Sequence, residues 1–307
     1  MHYNLVIFGT KDTTIEIVKY IRETLQESVD LLVTVSDKVT ENVDIAGYAN
    51  LNEVAKQNGI NVFCADSYSL DDEQCNKFFS NNTFGMGISM GWQRLIPSLI
   101  LSKFNAGVFG FHGSCGYLPF GRGRSPLNWS LLLGDKRFIL NLFRYDEFAD
   151  SPNVFMNTMF EINEFDTIRT LQYKNILCSK NMLKHLIEAF NTNNVVINSN
   201  SSDFDFWYQK RTPNDGKIDF SKRTWEIYNL IRSVTKPFAG AYCFVGNKKL
   251  VIWDAVPFDA FIDFSTFATG EVIDVFDGKP IVRTLDGSLL IKSFDYDGNF
   301  VARQCLE

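Results

Sequence analysis

Gly107–Trp129, GVFGFHGSCGYLPFGRGRSPLNW, joins two unlike textures. Gly107-Val108-Phe109 closes an apolar run of the kind that forms a buried strand, and the residues after it are dense in Gly, Ser and Pro, which interrupt regular structure. His112 stands at that transition. Of the three histidines, His2 is near the terminus and His185 falls in a helical pattern, so His112 alone lies where a strand gives way to a loop. In open α/β sheets ligands bind at the carboxyl ends of the strands. A lone histidine there is either a functional group or a ring satisfied by a loop carbonyl, and its surroundings decide between the two.

Upstream, Asn4-Leu-Val-Ile-Phe8 is a continuous apolar run ending in Gly9-Thr10. Thr13-x-x-Glu16 then offers a capping box ahead of Ile17, Val18, Ile21 and Leu25 at helical spacing, and Leu31–Ser36 reads as a second strand. Strand, helix and strand in that order predict a βαβ unit and a parallel sheet. The first turn lacks Gly-x-Gly-x-x-Gly, so neither NAD nor FAD is expected. The alternation continues through a helix at 52–58, a strand at 60–63 and the strand Phe84–Gly91. A short helix is expected over Trp92–Leu101, kinked or started at Pro97. After the central stretch, Phe138–Phe143 and Met156–Glu161 read as strands, and Asp166–Lys174 and Asn181–Phe190 as two helices. Asn191–Asp205 is rich in Asn and Ser and marks the candidate domain boundary. Beyond it come a helix at Thr224–Thr235 and, from Ala241, short apolar runs separated by Gly-containing turns, the pattern of a small barrel.

Composition fits two soluble globular domains: 307 residues, 45% apolar and 21% charged. No apolar run approaches the roughly 18 residues of a membrane span. The start, MHYNLVIFGT, reads as a mature first strand without a leader, and the expectation is a cytoplasmic protein with no membrane partner. Six cysteines are scattered without metal-ligand spacing, so neither a metal site nor disulfides are expected. A net charge of −6 argues against a nucleic-acid partner.

His112, Ser114, Leu118, Pro119, Arg122, Gly123, Pro126, Trp129, Gly134 and Asp150 fall in order on a pattern that resembles the active-site segment of the 10-formyltetrahydrofolate-dependent formyltransferases. That family shows Asn-x-His-x-Ser, Leu-Pro, Arg-Gly-x-x-Pro with a following Trp, a Gly, and an Asp-x-Gly. Three departures stand out: the family's catalytic Asn falls on Gly110, two extra residues separate Ser114 from Leu118, and Pro152 replaces a Gly. A second block, Asp215-Gly-x-Ile-Asp219, Ile231-Arg232 and Pro237-x-x-Gly-Ala241, resembles the same family, with Ser233 for its usual Ala.

The resemblance implies a Rossmann-like, mostly parallel sheet with helices on both faces over residues 1–200, and a linker helix plus an OB-like β-barrel over 201–307. It implies transfer of a formyl group from 10-formyltetrahydrofolate, a co-substrate, to the amine of a nucleotide-linked sugar in surface-polysaccharide (O-antigen) biosynthesis, by a homodimer. His112, Asp150 and Gly110 occupy the catalytic positions. Met90, Gly91, Trp92, Ile96, Tyr145 and Phe148 are implied near the folate, and Ser114, Arg122, Arg124, Arg211 and Lys236 near the sugar nucleotide. Chemically, His112 can take the ammonium proton or donate to the oxyanion, and Asp150 can orient its ring. A thiol nucleophile has no place in this chemistry, which leaves Cys115 without a role.

Gly110 is the difficulty, since losing an oxyanion donor costs about 2.7–4 kcal/mol in a comparable acyl-transfer site. A backbone N–H, Ser114 or Asn128 is expected to compensate. The alternatives are methionyl-tRNA formylation and a non-catalytic folate- or sugar-nucleotide-binding protein. From Phe238 onward there are six Lys and Arg against ten Asp and Glu, the wrong sign for tracking a tRNA backbone. Lys210, Arg211, Lys222, Arg223, Arg232 and Lys236 form a basic group better suited to one diphosphate.

Overall fold

The computed structural model describes residues 1–45, 47–199 and 206–307. The chain divides into two compact units, each discontinuous in sequence. One comprises Met1–Arg122, Ile139–Thr158 and Asn175–Phe206; the other comprises Gly123–Phe138, Met159–Lys174 and Trp207–Glu307. The boundary expected at 200/201 falls within 200–205, outside the described residues.

In the first unit β1 (His2–Phe8) is followed by α1 (Asp12–Lys19), β2 (Leu31–Val35), α2 (Asp37–Thr40), α3 (Asn52–Asn58), β3 (Asn61–Ala65), α4 (Glu73–Ser80), β4 (Thr83–Ser89), α5 (Ser98–Leu101) and β5 (Phe104–Ser114). All five residues of β2 are buried, as in a strand covered on both faces. Later in the chain come β6 (Arg122–Gly123), α6 (Pro126–Leu133), β7 (Arg137–Arg144), β8 (Asn153–Glu161), α7 (Ile168–Asn191), β9 (Asn198–Ser199) and β10 (Trp207–Tyr208). The main sheet has the order β3-β2-β1-β4-β5-β7-β8-β9. It is parallel from β3 to β5, and β7 then runs antiparallel to β5. Strand order reverses between β1 and β4, and parallel crossovers of the usual right hand on either side of such a point send helices to opposite faces. At the reversal Thr14 Oγ1 donates to Met90 O at 2.6 Å and Thr10 Oγ1 to Gly91 O at 3.0 Å. Part of the abundant phenylalanine packs in this unit's core, where Phe63 stacks on Phe78 at 4.1 Å and Phe84 on Phe104 at 4.8 Å.

Several local expectations are corrected. The start of α1 is set by Thr14, whose Oγ1 accepts the Lys11 N–H at 3.3 Å, and Glu16 instead pairs with Lys180 at 2.7 Å. Of the two readings for 92–101, a helix started at Pro97 is the one that forms: Pro97 takes extended backbone as the N-cap of α5, and residues 92–97 stay irregular. The two helices expected at 166–190 are one, α7, since 175–180 holds neither Gly nor Pro and Ser179 Oγ donates to Asn175 O within the helix at 2.8 Å. The strand before the central loop also runs on, so His112 lies within β5.

In the second unit α8 (Thr224–Val234) packs Ile227, Tyr228 and Ile231 into the core of a five-stranded antiparallel sheet. The strands are β11 (Ala241–Val245), β12 (Lys248–Asp259), β13 (Val272–Phe276), β14 (Lys279–Arg283) and β15 (Ser288–Asp295), in the order β11-β12-β15-β14-β13. The carboxyl-terminal residues join its two edges. Val272 N–H donates to Gln304 O and Leu306 N–H to Gly270 O, both at 2.8 Å, while Phe244 N–H donates to Glu307 O at 2.6 Å and Glu307 N–H to Phe244 O at 2.8 Å. No helix among the described residues is long and apolar enough to cross a membrane.

Candidate active site

β5 outruns its parallel neighbour. The last β4–β5 partner pair is Ser89 with Gly110, and from Phe111 onward β5 pairs with β7 alone, His112 facing Asn141. His112 is thus carried past the carboxyl end of β4, on a strand held from one side. Its ring is buried, with Nδ1 3.2 Å from Asp150 Oδ1 and Nε2 2.7 Å from the Gly121 carbonyl. Both neighbours are acceptors, and a neutral ring donates to one of them at a time.

Asp150 sits in a loop with φ +50° that Asp146 organises. Asp146 Oδ1 accepts the Phe148 N–H at 2.8 Å and the Ser151 hydroxyl, and its Oδ2 accepts Asn153 Nδ2 at 2.9 Å. Such an Asx turn fixes backbone that no sheet ladder holds.

Beside His112, Gly110 leaves a notch that Tyr145 fills. A Cβ built on Gly110 would lie within 3.0 Å of Tyr145 Oη, Cε1 and Cζ. The Ser89 side chain hydrogen-bonds to this phenol, and burial, together with the Asp150 carboxylate, pushes its pKa up to about 12. Among the residues expected to compensate for Gly110, Ser114 Oγ donates to the Gly116 and Phe120 carbonyls at 2.9 and 3.0 Å, and Asn128 Nδ2 donates to Ser233 O at 2.7 Å.

The remaining site residues are spread over both units. Met90, Trp92 and Ile96 are buried; Trp92 packs edge-on to Tyr68 at 4.9 Å, and its Nε1 is buried with no acceptor among the described residues. Gly91 has φ +83° and Phe148 is exposed. Ser114 and Arg122 belong to the first unit; Arg124, Arg211 and Lys236 belong to the second. There Arg211 lies over the Trp129 ring at 5.2 Å, donates to Asp215 O at 2.8 Å and borders a hollow of about 120 Å3 that Ser125, Asn128 and Phe238 also line. Burial lowers the Arg211 pKa. Lys236 is exposed and lies over Trp253 at 5.1 Å. Arg232, one of the basic group, is buried and committed: its guanidinium donates to Asn163 O at 2.7 Å, Asp166 O at 3.0 Å and Asn229 Oδ1 at 2.9 Å, so it is a structural cation. No group of three or more His, Cys, Asp and Glu among the described residues could hold a metal ion.

Sequence reading passes over Ser89, Asp146 and the Gly121 carbonyl. Ser89 carries a usable signal, since a polar residue ending an apolar strand next to the histidine-bearing strand faces the ligand edge.

Known proteins supply context for this geometry. The formyl transferase C-terminal domain family matches residues 210–300. The bifunctional polymyxin resistance protein ArnA of Wigglesworthia glossinidia brevipalpis is 33% identical over 208 residues, 68% of this chain, and the chain spans only 31% of that protein's length. Among solved structures, an N-formyltransferase from Helicobacter canadensis, in complex with folinic acid and dTDP-3-aminofucose, superposes with TM-score 0.65 at 19% identity, covering 94% of this chain and 98% of its own. HypX from Aquifex aeolicus, in complex with tetrahydrofolic acid, gives TM-score 0.63 at 16% identity over 96% of this chain and 44% of its own. With its C-terminal domain match and its curated relative, the chain belongs to the formyltransferase family, and it shares the fold of the solved N-formyltransferase.

Proposed function

We propose that this protein transfers the formyl group of 10-formyltetrahydrofolate to the amine of a nucleotide-linked amino sugar. The observation that carries the reading is the contact of buried His112, on β5 beyond the end of β4, with half-buried Asp150 at 3.2 Å in a chain of this family. Formyl transfer from a neutral amine needs a base for the proton the amine loses as it bonds to the formyl carbon, and an acid for the departing folate nitrogen. With Nδ1–H on Asp150, a neutral His112 turns Nε2 from the Gly121 carbonyl to take that proton and then returns it to the leaving nitrogen. Asp150 at Nδ1 holds the ring in register. Juxtaposition of the two substrates adds to this, worth about 7–11 kcal/mol in the best cases.

The buried, unpartnered Trp92 Nε1–H at the carboxyl end of β4 supports a folate there, because a heterocycle acceptor would satisfy a donor that is otherwise costly to bury. For the acceptor, Arg211 suits a diphosphate, while the acidic balance from Phe238 onward opposes a tRNA. Two solved relatives of similar fold carry a dTDP-sugar or a folate in their complexes, which agrees with this choice of substrates.

The test is to incubate the protein with 10-formyltetrahydrofolate and a panel of UDP- and dTDP-linked amino sugars, following sugar mass for the gain of one formyl group. One sugar is expected to gain it, and His112→Asn and Asp150→Asn are each expected to abolish the gain while the fold is retained. A panel with no product from the wild-type protein overturns the reading.

A further inference from the structure

Beside His112 the strand offers no side chain at Gly110, and an acyl transfer still passes through an oxyanion that has to be held. The residue just past β7 supplies the group. Tyr145 N–H donates to Val108 O at 2.7 Å, continuing the register in which Gly110 faces Phe143 and His112 faces Asn141. Opposed residues of an antiparallel pair share a face, so Tyr145, Gly110 and His112 present theirs to the same side. From the position opposite Val108 the Tyr145 ring leans diagonally across Gly110, and only the missing Cβ lets it do so. Ser89, the partner of Gly110 on the other strand, engages the phenol oxygen from the far side.

We propose that Tyr145 is a catalytic residue whose Oη–H holds the formyl oxygen as it becomes an oxyanion, in the place that a side chain at position 110 would fill. Burial and the Asp150 carboxylate keep this phenol protonated through the physiological range. As the amine nitrogen bonds to the formyl carbon, the carbonyl pair moves onto oxygen and Tyr145 stabilises it by a hydrogen bond, without giving up its proton. His112 takes the proton the amine loses. When the carbonyl re-forms and the bond to the folate nitrogen breaks, His112 returns that proton to the leaving nitrogen, so atoms and charge balance with no further reactant. Gly110 and Tyr145 are then a coupled pair: the glycine is required because the tyrosine lies across it.

This rests on the formyl-transfer reading, and the experiment separates the two. Steady-state kinetics are measured on the wild type, Tyr145→Phe, Tyr145→Ala, Gly110→Asn and the double variant Gly110→Asn/Tyr145→Ala, with melting temperature as the folding control. Tyr145→Phe is expected to keep its melting temperature, lose about 100-fold or more in kcat, as for other oxyanion donors, and leave both KM values within about threefold. Gly110→Asn alone is expected to lose activity and stability through the collision with the ring. The double variant is expected to exceed Tyr145→Ala by at least about tenfold, because the amide then occupies the vacated space. A folded Tyr145→Phe protein with wild-type kcat overturns the proposal while leaving formyl transfer intact. Should Tyr145→Phe fail to fold, a double variant no more active than Tyr145→Ala overturns it. A wild type inactive on the whole panel removes the formyl-transfer reading, and this proposal with it, before any variant is compared.

Discussion

Single residues in this protein hold places that few side chains fit. Gly123 has φ +102°, and a Cβ there would sit 2.5 Å from the Tyr208 carbonyl oxygen. Gly123→Ala is expected to cost about 1–3 kcal/mol in urea unfolding through backbone strain. Asp166 shows a different dependence on surroundings. Burial opposes its charge, but Lys174 Nζ at 2.6 Å, the Asn163 N–H at 2.8 Å and the Thr170 hydroxyl at 2.8 Å outweigh that, and its pKa lies below the ordinary carboxylate value of 3.8. A lowered folded pKa contributes stability that is fully present above 3.8 and disappears as pH falls through the folded value. Asp166→Asn is therefore expected to destabilise by about 1.5–3 kcal/mol at neutral pH, with the gap to wild type closing as the melts are taken below pH 3.8.

Elements are legible in the sequence in some places and obscure in others. The apolar runs of β1, β2, β4 and β7 announce buried strands, with Thr34 in β2 and Asn141 in β7 too isolated to mask them, and the C-terminal strands announce themselves through their Gly turns. Helix ends are harder. Thr13 and Glu16 have the spacing of a capping box, yet Thr14 bonds the N-cap backbone, since the chain enters α1 two residues earlier, at Lys11. The split expected in α7 has no breaker behind it, since 175–180 holds neither Gly nor Pro and the helix runs unbroken for 24 residues. In the site, His112 and Asp150 are legible from their motif spacing. Tyr145 is implied only as a folate neighbour, because its relation to Gly110 depends on β7 running antiparallel to β5, and one-dimensional spacing does not carry that register. Where a cap is clear the consequence is testable: Asp72 Oδ1 accepts the Cys75 N–H at 2.7 Å to start α4, and Asp72→Ala is expected to cost about 1 kcal/mol in thermal or urea melts.

For the whole molecule, charge decides what kind of partner is admissible. With a net charge of −6, binding of a sugar nucleotide is expected to weaken by less than about tenfold between 50 and 200 mM salt, against the about 10³–10⁵ typical of proteins that contact many phosphates. Titration calorimetry at the two salt concentrations checks this, and a steep slope would favour a nucleic acid. The other molecular property comes from the carboxyl-terminal residues, which pair with both outer strands of the second unit's sheet through Val272, Gly270 and Phe244. Unpaired strand edges are templates for other chains. Residues 303–307 cover both edges, so a version ending at Ala302 is expected to bind thioflavin and scatter light on standing, while residues 1–307 stay clear.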